Sequence, residues 1–261
     1  MRLLNRKVFC FSIGFVLLAS LVRADDSKIT WLGHAAFKVT SRLGEVLLID
    51  PWITNPKAPK GVTFQHVEAI LITHGHSDHV GEAFELAKKF NAPIIAAMEL
   101  TTIAQKRGVK MVLPIYPSGT VKVRGWTITA VEAVHASSCP DGDTVLYAGV
   151  PMGFIVAEFG VGSFYHAGDT GVFNDMALIS EMYSPNMALL PIGGVYTMKP
   201  REAAYAARML QVKTIIPMHF GTFPALSGTP AELQTEMTRL GVPSTIRELT
   251  PGKEVRLKDL Y

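Results

Sequence analysis

The sequence has little cysteine, few long apolar runs and, after its first 24 residues, almost no net charge. Its two cysteines, Cys10 and Cys139, stand in a chain of 261 residues, too few for a disulfide-dense scaffold. Residues 25–261 contain no charge block, no low-complexity tract, no Pro- or Ser-rich linker and no repeat with a period of about 20–50 residues. A single apolar stretch is long enough to concern a membrane, which excludes a multi-span protein. Four of the 25 basic residues, Arg2, Arg6, Lys7 and Arg23, fall in the first 24 positions, leaving 21 bases against 22 acids. So balanced a chain has no electrostatic footprint for nucleic acid. What is present is apolar substance. The chain is 48% hydrophobic, which excludes a disordered chain, and its length suits one large domain or two small ones.

The N-terminus reads as an address. Arg2, Arg6 and Lys7 precede a mostly apolar run at 8–22, broken by Ser12 and Ser20, and Val22 and Ala24 supply small residues just before Asp25. This is the layout of a secretory signal. The run falls short of the ~20 residues that span a bilayer, which argues against an uncleaved anchor. The expectation is a signal peptide over 1–24 cleaved near Ala24, a domain over 25–261, a periplasmic or secreted location, and no membrane contact after cleavage. Cys10 lies too early for lipid attachment, so the mature chain keeps Cys139 as its single thiol.

Strands are expected at 28–32, 35–40, 45–50, 69–73 and 93–97. Helices are expected at 81–90, with Ala83, Phe84, Ala87 and Phe90 on one face, and at 99–107, stopped by Gly108. Hairpin-like pairs follow at 120–124 with 126–134 and at 154–159 with 163–167. After them come a helix near 174–183, a strand at 187–191, a proline-opened helix at 200–210, a strand at 213–217, a helix at 230–240 and a short strand at 254–257. The segments 52–66, 136–149 and 220–229 read as loops. Two runs of strands with interspersed helices suggest two sheets packed face to face with helices outside. Each run holds an apolar strand discharging into histidine, one at His74 and one at His219, a hint of duplicated halves meeting at one site.

The chemistry is concentrated in Thr73-His74-Gly75-His76-Ser77-Asp78-His79-Val80-Gly81. Three imidazoles and a carboxylate within six residues would crowd basic groups to no packing advantage, whereas neutral imidazole and carboxylate are good ligands for zinc, iron and similar ions. On an extended segment His74 and His76 project to one side and can chelate one ion. Asp78 and His79, at the expected helix start, can hold a second. Asp78 also has a plain structural reading as a helix N-cap. Three distant residues at strand ends can complete such a site: His135, Asp169 in Gly168-Asp169-Thr170-Gly171, and His219.

The order His-x-His-x-Asp-His, then His, Asp and His, resembles the metallo-β-lactamase superfamily over nearly all of residues 28–257. The resemblance implies a mixed α/β (α+β) fold, a four-layer αββα sandwich with a binuclear site at one edge between the sheets. It places His74, His76 and His135 on a first ion, Asp78, His79 and His219 on a second, and Asp169 between them. Trp31-Leu32-Gly33-His34-Ala35-Ala36-Phe37, Asp50-Pro51-Trp52, His166-Ala167-Gly168-Asp169-Thr170, Pro191-Ile192-Gly193-Gly194, Pro217-Met218-His219-Phe220 and Thr222-Phe223-Pro224 are similar to a branch known as metal-dependent hydrolases. That branch is related to ascorbate-phosphate lactonases and to the phospholipase D that cleaves N-acyl phosphatidylethanolamines; its members usually read as cytoplasmic, so the export signal departs from the pattern.

The implied cofactors are two divalent ions, zinc first, with manganese or iron as alternatives. The implied nucleophile is a hydroxide shared by the ions, with Asp78 orienting it and passing a proton toward the leaving group. The branch resemblance puts His34 near the site, as a substrate contact or proton donor. His166 and Asp50 read as supports for the ligands, His66 as a surface residue and Cys139 as a bystander. The expected partner is a small molecule, with no nucleic acid; the oligomeric state is open. A small ester, lactone or phosphodiester is the leading substrate class. A β-lactam hydrolase, disfavoured by Asp169, an iron redox enzyme of the same fold and a non-catalytic zinc module are the alternatives.

Overall fold

Strands apolar on both faces dictate the layering. In β3 (Val46–Ile49) and β4 (Ala69–Leu71) every residue is buried. Successive side chains point to opposite faces. Leu47, Ile49, Ala69 and Leu71 therefore join one core, and Val46, Leu48, Ile70 and Ile72 join another. The second core is closed by α2 (Ala83–Phe90) and α3 (Met98–Lys106), which contribute Phe84, Leu86, Ala87, Leu100, Ile103 and Ala104. The first core lies between two sheets, where Trp31, Phe37, Val39 and Ile49 join Trp126, Ile128, Phe154 and Val156. This is the four-layer α/β sandwich that the sequence led us to expect. The structure, a computed structural model, describes residues 26–261, so the expected signal segment lies outside the described residues. Among the described residues no helix is long and apolar enough to cross a membrane.

The first sheet runs β16 (Glu254–Arg256), β1 (Lys28–Trp31), β2 (Phe37–Thr40), β3, β4, β5 (Ile94–Ala96), β6 (Val112–Pro114). The second runs β15 (Thr245–Ile246), β14 (Thr214–Met218), β13 (Met187–Pro191), β12 (Gly162–His166), β11 (Met152–Glu158), β8 (Trp126–Glu132), β7 (Thr120–Val123). Apart from β16, the last strand, which pairs antiparallel with β1, each sheet is antiparallel in its sequence-early part and parallel in its later part. The switch falls between β3 and β4 in one and between β12 and β13 in the other. That correspondence gives topological content to the hint of duplicated halves. Since β1, β3 and β4 share a direction, as do β8, β12 and β14, six strand ends and the segments leaving them open at one edge of the sandwich.

The sequence reading differs from the structure in a few places. The expected helix at 81–90 is two: α1 (Ser77–Val80) and α2. Gly81, at φ 42°, breaks them where a Cβ would meet the backbone of Trp52. The segment 136–149 is not a loop but carries the hairpin β9 (Ser138–Asp141) and β10 (Thr144–Tyr147). Cys139 is the one buried residue of its two strands, which are exposed on both faces and so lack the alternation that marks a strand. The strands β6 and β15, short and at sheet edges, were not anticipated.

Candidate metal centre

The loop between β4 and α1 is shaped by contacts that leave no room for side chains. A Cβ on Gly75 would collide with Ala148 and come within 3.0 Å of the backbone of Ser138 at the hairpin base. Gly168, at φ 61°, lies against Thr73, whose Cβ would be 2.9 Å from a substituent. Glycine adopts such conformations without the steric cost other residues meet. The two loops carrying the histidine cluster and Asp169 can therefore pack directly on one another. His34, Asp50 and His219 themselves take φ values of 51°, 45° and 54°, a region uncommon for residues with a Cβ and concentrated at functional sites. The backbones of two of these residues are joined, His219 N–H donating to His34 C=O at 3.0 Å.

The seven expected ligands converge. His74, His76 and His135 each bring one ring nitrogen to within 4.8 Å of the others; a carboxylate oxygen of Asp78 and one ring nitrogen each of His79, His219 and His34 form a second such group. Asp169 lies between the groups. Its Oδ1 is 3.2 Å from His79 Nε2, and its Oδ2 is 3.1 Å from His219 Nε2 and 3.6 Å from His135 Nε2. Asp78 Oδ2 is 3.7 Å from His219 Nε2. His135 and His219, which follow β8 and β14 of the second sheet, thus both turn toward the 74–79 loop of the first.

The donor set fits divalent cations on two observations. First, His79 Nε2, Asp169 Oδ1 and both ring nitrogens of His219 are buried with no hydrogen-bond partner. The short ring–carboxylate separations are therefore ion-pair distances without hydrogen-bond alignment, and unpaired buried polar atoms are costly. Second, His74 Nε2 lies 2.9 Å from His76 Nδ1, so a proton or a cation must stand between two lone pairs. Nitrogen and oxygen donors in this number and arrangement suit zinc, iron or manganese.

Asp50 fixes one histidine of each group. Its Oδ2 accepts from His79 Nδ1 at 2.7 Å and from the Thr73 hydroxyl at 2.7 Å, while Oδ1 accepts from Thr73 N–H at 2.8 Å. With its hydrogen committed to Asp50, the Thr73 hydroxyl oxygen accepts from His74 Nδ1 at 3.0 Å. Both Nδ1 atoms are thereby the protonated ones, and both Nε2 atoms face the centre. The carboxylate does for these rings what supporting acceptors do for metal-ligating histidines generally.

Burial and neighbours divide the imidazoles. Burial lowers the pKa of His74, and its histidine neighbours add to this; His76 and His135 are lowered for the same reason. Burial also disfavours charge on His79 and His219, but the carboxylates outweigh it. Asp169 and Asp50 raise His79 well above its ordinary value, and Asp169 with Asp78 raises His219 to about 9. Asp169 is held well below the carboxylate range by His219 and His79 against the penalty of burial, and Asp78 is lowered by His219 and His34. Two of the nitrogens that cations would occupy thus attract protons strongly, as positive charge is favoured there.

His34 is fully buried. Its Nδ1 lies 2.9 Å from Thr222 Oγ1 and its Nε2 3.0 Å from Asp78 Oδ2. Burial, assisted by His219 and His79, brings its pKa down to about 4 in spite of Asp78. Neutral His34 therefore donates from Nε2 to Asp78 and accepts from Thr222. Asp78 is not the helix cap considered from sequence: His76 holds that position, and the Asp78 carboxylate serves the site. His166 donates from Nε2 to Ala35 C=O at 3.0 Å and accepts Gly168 N–H on Nδ1 at 3.2 Å, bracing the Asp169 turn from beneath. His66 is exposed and bonds to Gly44 C=O, and Cys139 packs in the core under the hairpin. Thr73 and Thr222 had no role assigned from sequence. Their signal, a hydroxyl adjoining a histidine cluster or two positions from Phe220, is too common to single out.

Two aromatic rings flank the Asp78 side. Trp52 and Phe223 stack at 5.9 Å, both edge-on to His34. On the His135 side a cavity of about 550 Å³ opens between β8 and the segment at 150–151. A cavity of about 680 Å³ lies at the opposite end of the strands, among Glu68, Lys89, Lys122 and Arg124, away from these residues.

A family profile described as the beta-lactamase superfamily domain matches residues 28–219. A UPF0173 metal-dependent hydrolase of Koribacter versatilis is 46% identical over 228 residues, covering 87% of this chain and 96% of that protein. One of Methanopyrus kandleri is 43% identical over 227 residues, covering 87% and 98%. Among solved structures, Igni18, a metallo hydrolase of Ignicoccus hospitalis, aligns with a TM-score of 0.77 at 34% identity over 88% of this chain and 98% of its own.

Proposed function

The chain belongs to the beta-lactamase superfamily, among its metal-dependent hydrolases, and from that premise we propose that it is a binuclear metal-dependent hydrolase acting on a small ester, lactone or phosphodiester. The observation that carries the reading is the set of buried, unpartnered atoms on His79, His219 and Asp169, aimed at the space they share with the His74 group. His74, His76 and His135 would hold one ion, Asp78, His79 and His219 the other, and Asp169 would touch both. Two such cations supply an acidified water at neutral pH and Lewis acidity toward a carbonyl or phosphoryl oxygen.

The chain's own residues do the rest. Asp50 and Thr73 engage Nδ1 of His79 and of His74, so that Nε2 of each ring is the atom turned toward the ions. Asp78, partly exposed where Asp169 is buried, is the carboxylate positioned to take a proton from the nucleophile and pass it to the leaving group. Neutral His34 donates one hydrogen bond to that carboxylate, orienting it and tempering its basicity. The stacked Trp52–Phe223 pair gives this side an aromatic wall. The signal-like segment at 1–24 supports action outside the cytoplasm, and a mature N-terminus near Asp25 in secreted material is the expected finding.

The test is elemental analysis of the purified full chain, followed by assay against nitrophenyl esters, lactones and phosphodiesters with Asp169→Ala in parallel. Metal-dependent turnover lost in that variant supports the proposal. Full activity of Asp169→Ala, rapid nitrocefin turnover in place of ester cleavage, or oxygen consumption without hydrolysis overturns it.

A further inference from the structure

The cavity beside His135 is built from apolar side chains where a surface depression normally is not. Its walls are Tyr116, Pro117, Ala133, Val134, Val150 and Pro151, and His135 forms part of its lining. Val134 is 49% exposed, Tyr116 43% and Val150 38%, and three large apolar groups open to water at one mouth call for a ligand. The size, about 550 Å³, is that of pockets for small organic molecules, roughly 300–1,000 Å³.

The walls are held in place and tied to the metal centre. Val134 N–H donates to Thr170 Oγ1 at 3.0 Å, and Val134 C=O accepts from Gly171 N–H at 3.0 Å. The strand end carrying Val134 and His135 is thus laced to the loop carrying Asp169. Tyr116 is restrained from the other side, its hydroxyl 3.4 Å from each carboxylate oxygen of Glu99. The charged side chains at the cavity are both acidic: Glu132 in the lining and Glu99 behind Tyr116. A carboxylate or phosphate placed against these walls would meet two like charges and no lysine or arginine in the lining.

We propose that this cavity receives an uncharged apolar group of the substrate, an acyl chain or ring, and so directs the hydrolase toward neutral esters and lactones with such a group. The inference rests on the hydrolytic reading above and narrows it. The portion of the substrate next to His135 is hydrocarbon, and an anionic substituent in that position is rejected.

Two measurements on the full chain test it. The first is hydrolysis of nitrophenyl acetate, butyrate, hexanoate and octanoate by the metal-loaded protein. Specificity kcat/KM rises with length, about three- to fourfold per added methylene while the chain remains inside the cavity, and succinyl monoesters of similar length are poor substrates. The second is binding of the neutral fluorophore N-phenyl-1-naphthylamine to the metal-free protein, displaced by hexanol and weakened at least tenfold in Val134→Asp and in Val150→Asp. Both side chains are exposed enough for substitution without unfolding, and circular dichroism verifies the fold.

Hydrolysis with no dependence on chain length, or fluorophore binding unchanged in both variants, overturns the apolar cavity and leaves the hydrolase reading standing. Binding lost in both variants, with no hydrolysis of any ester, lactone or phosphodiester, upholds the cavity and removes the hydrolase reading.

Discussion

Asp50 and His79 are locked together in the core of the site, carboxylate oxygen to Nδ1 at 2.7 Å, both side chains wholly excluded from solvent. Through Thr73 the same carboxylate reaches His74 in the other ligand group. One residue at a strand end therefore sets the tautomer and aim of an imidazole in each half of the centre. Replacing it by alanine should weaken metal binding 10–100-fold, the usual cost of losing such a support, whereas Asp50→Asn, which still accepts a hydrogen bond, should lose less. Competition with a chelator of known affinity measures this; equal affinity in wild type and Asp50→Ala would show that the ligands hold themselves.

Asp169 is the carboxylate common to His79, His135 and His219. Asp169→Ala should lower kcat by at least a thousandfold and reduce bound metal together, because both ion positions lose a donor. Retention of the full metal complement with normal turnover contradicts its placement.

His34 contacts Asp78 and no solvent. It is a positioning residue, and removing it should leave the ligand set intact while freeing Asp78 to rotate and changing its basicity. His34→Gln is expected to retain bound metal, to lower kcat about 10–100-fold, in the range of general acid–base contributions, and to shift the acid limb of the kcat profile. An unchanged pH profile would mean that His34 merely fills space.

The pH dependence of stability in the metal-free protein follows from two opposed sets of histidines. His34, with its pKa lowered to about 4, and His74 and His166, also lowered, are buried neutral. The stability they contribute is complete above the unfolded value of about 6.5 and is lost as pH falls below it toward their folded values. His79 and His219 are raised, His219 to about 9; their contribution is complete below about 6.5 and is lost as pH rises toward 9. The thermal midpoint of metal-free protein should therefore peak near neutral pH and fall on both sides. Bound metal replaces the protons of His79 and His219, so it should flatten the alkaline decline. Calorimetric scans from pH 5 to 9, with and without metal, examine this. A midpoint rising steadily through pH 9 in the metal-free protein goes against the assignment.

Much of the candidate centre was legible in the sequence because the residues that converge on it sit where strands end. An apolar run such as 70–73 can be read as a buried strand, and the polar residue following it must emerge at the sheet edge. The Asp50 support was visible on the same logic, as a carboxylate ending β3. Other features turn on packing that no local pattern encodes. The split at Gly81 depends on the backbone of Trp52, and the left-handed turn at His34 on its link to His219. The hairpin at 138–147 has Pro140, Asp141 and Asp143 where a strand would alternate; its anchoring comes from Cys139 and Leu146 beneath it. Thr222 is tied to His34 across 188 residues, and neither side of that contact signals the other in sequence.

Metal stoichiometry of the purified chain, measured by elemental analysis on wild type and on His135→Ala and His219→Ala, tests the central claim most directly. The geometry predicts about two equivalents in wild type and a loss of roughly one in each variant, from different ligand groups. A wild-type protein that binds no metal after reconstitution with zinc, manganese or iron, or variants that retain both equivalents, would contradict it.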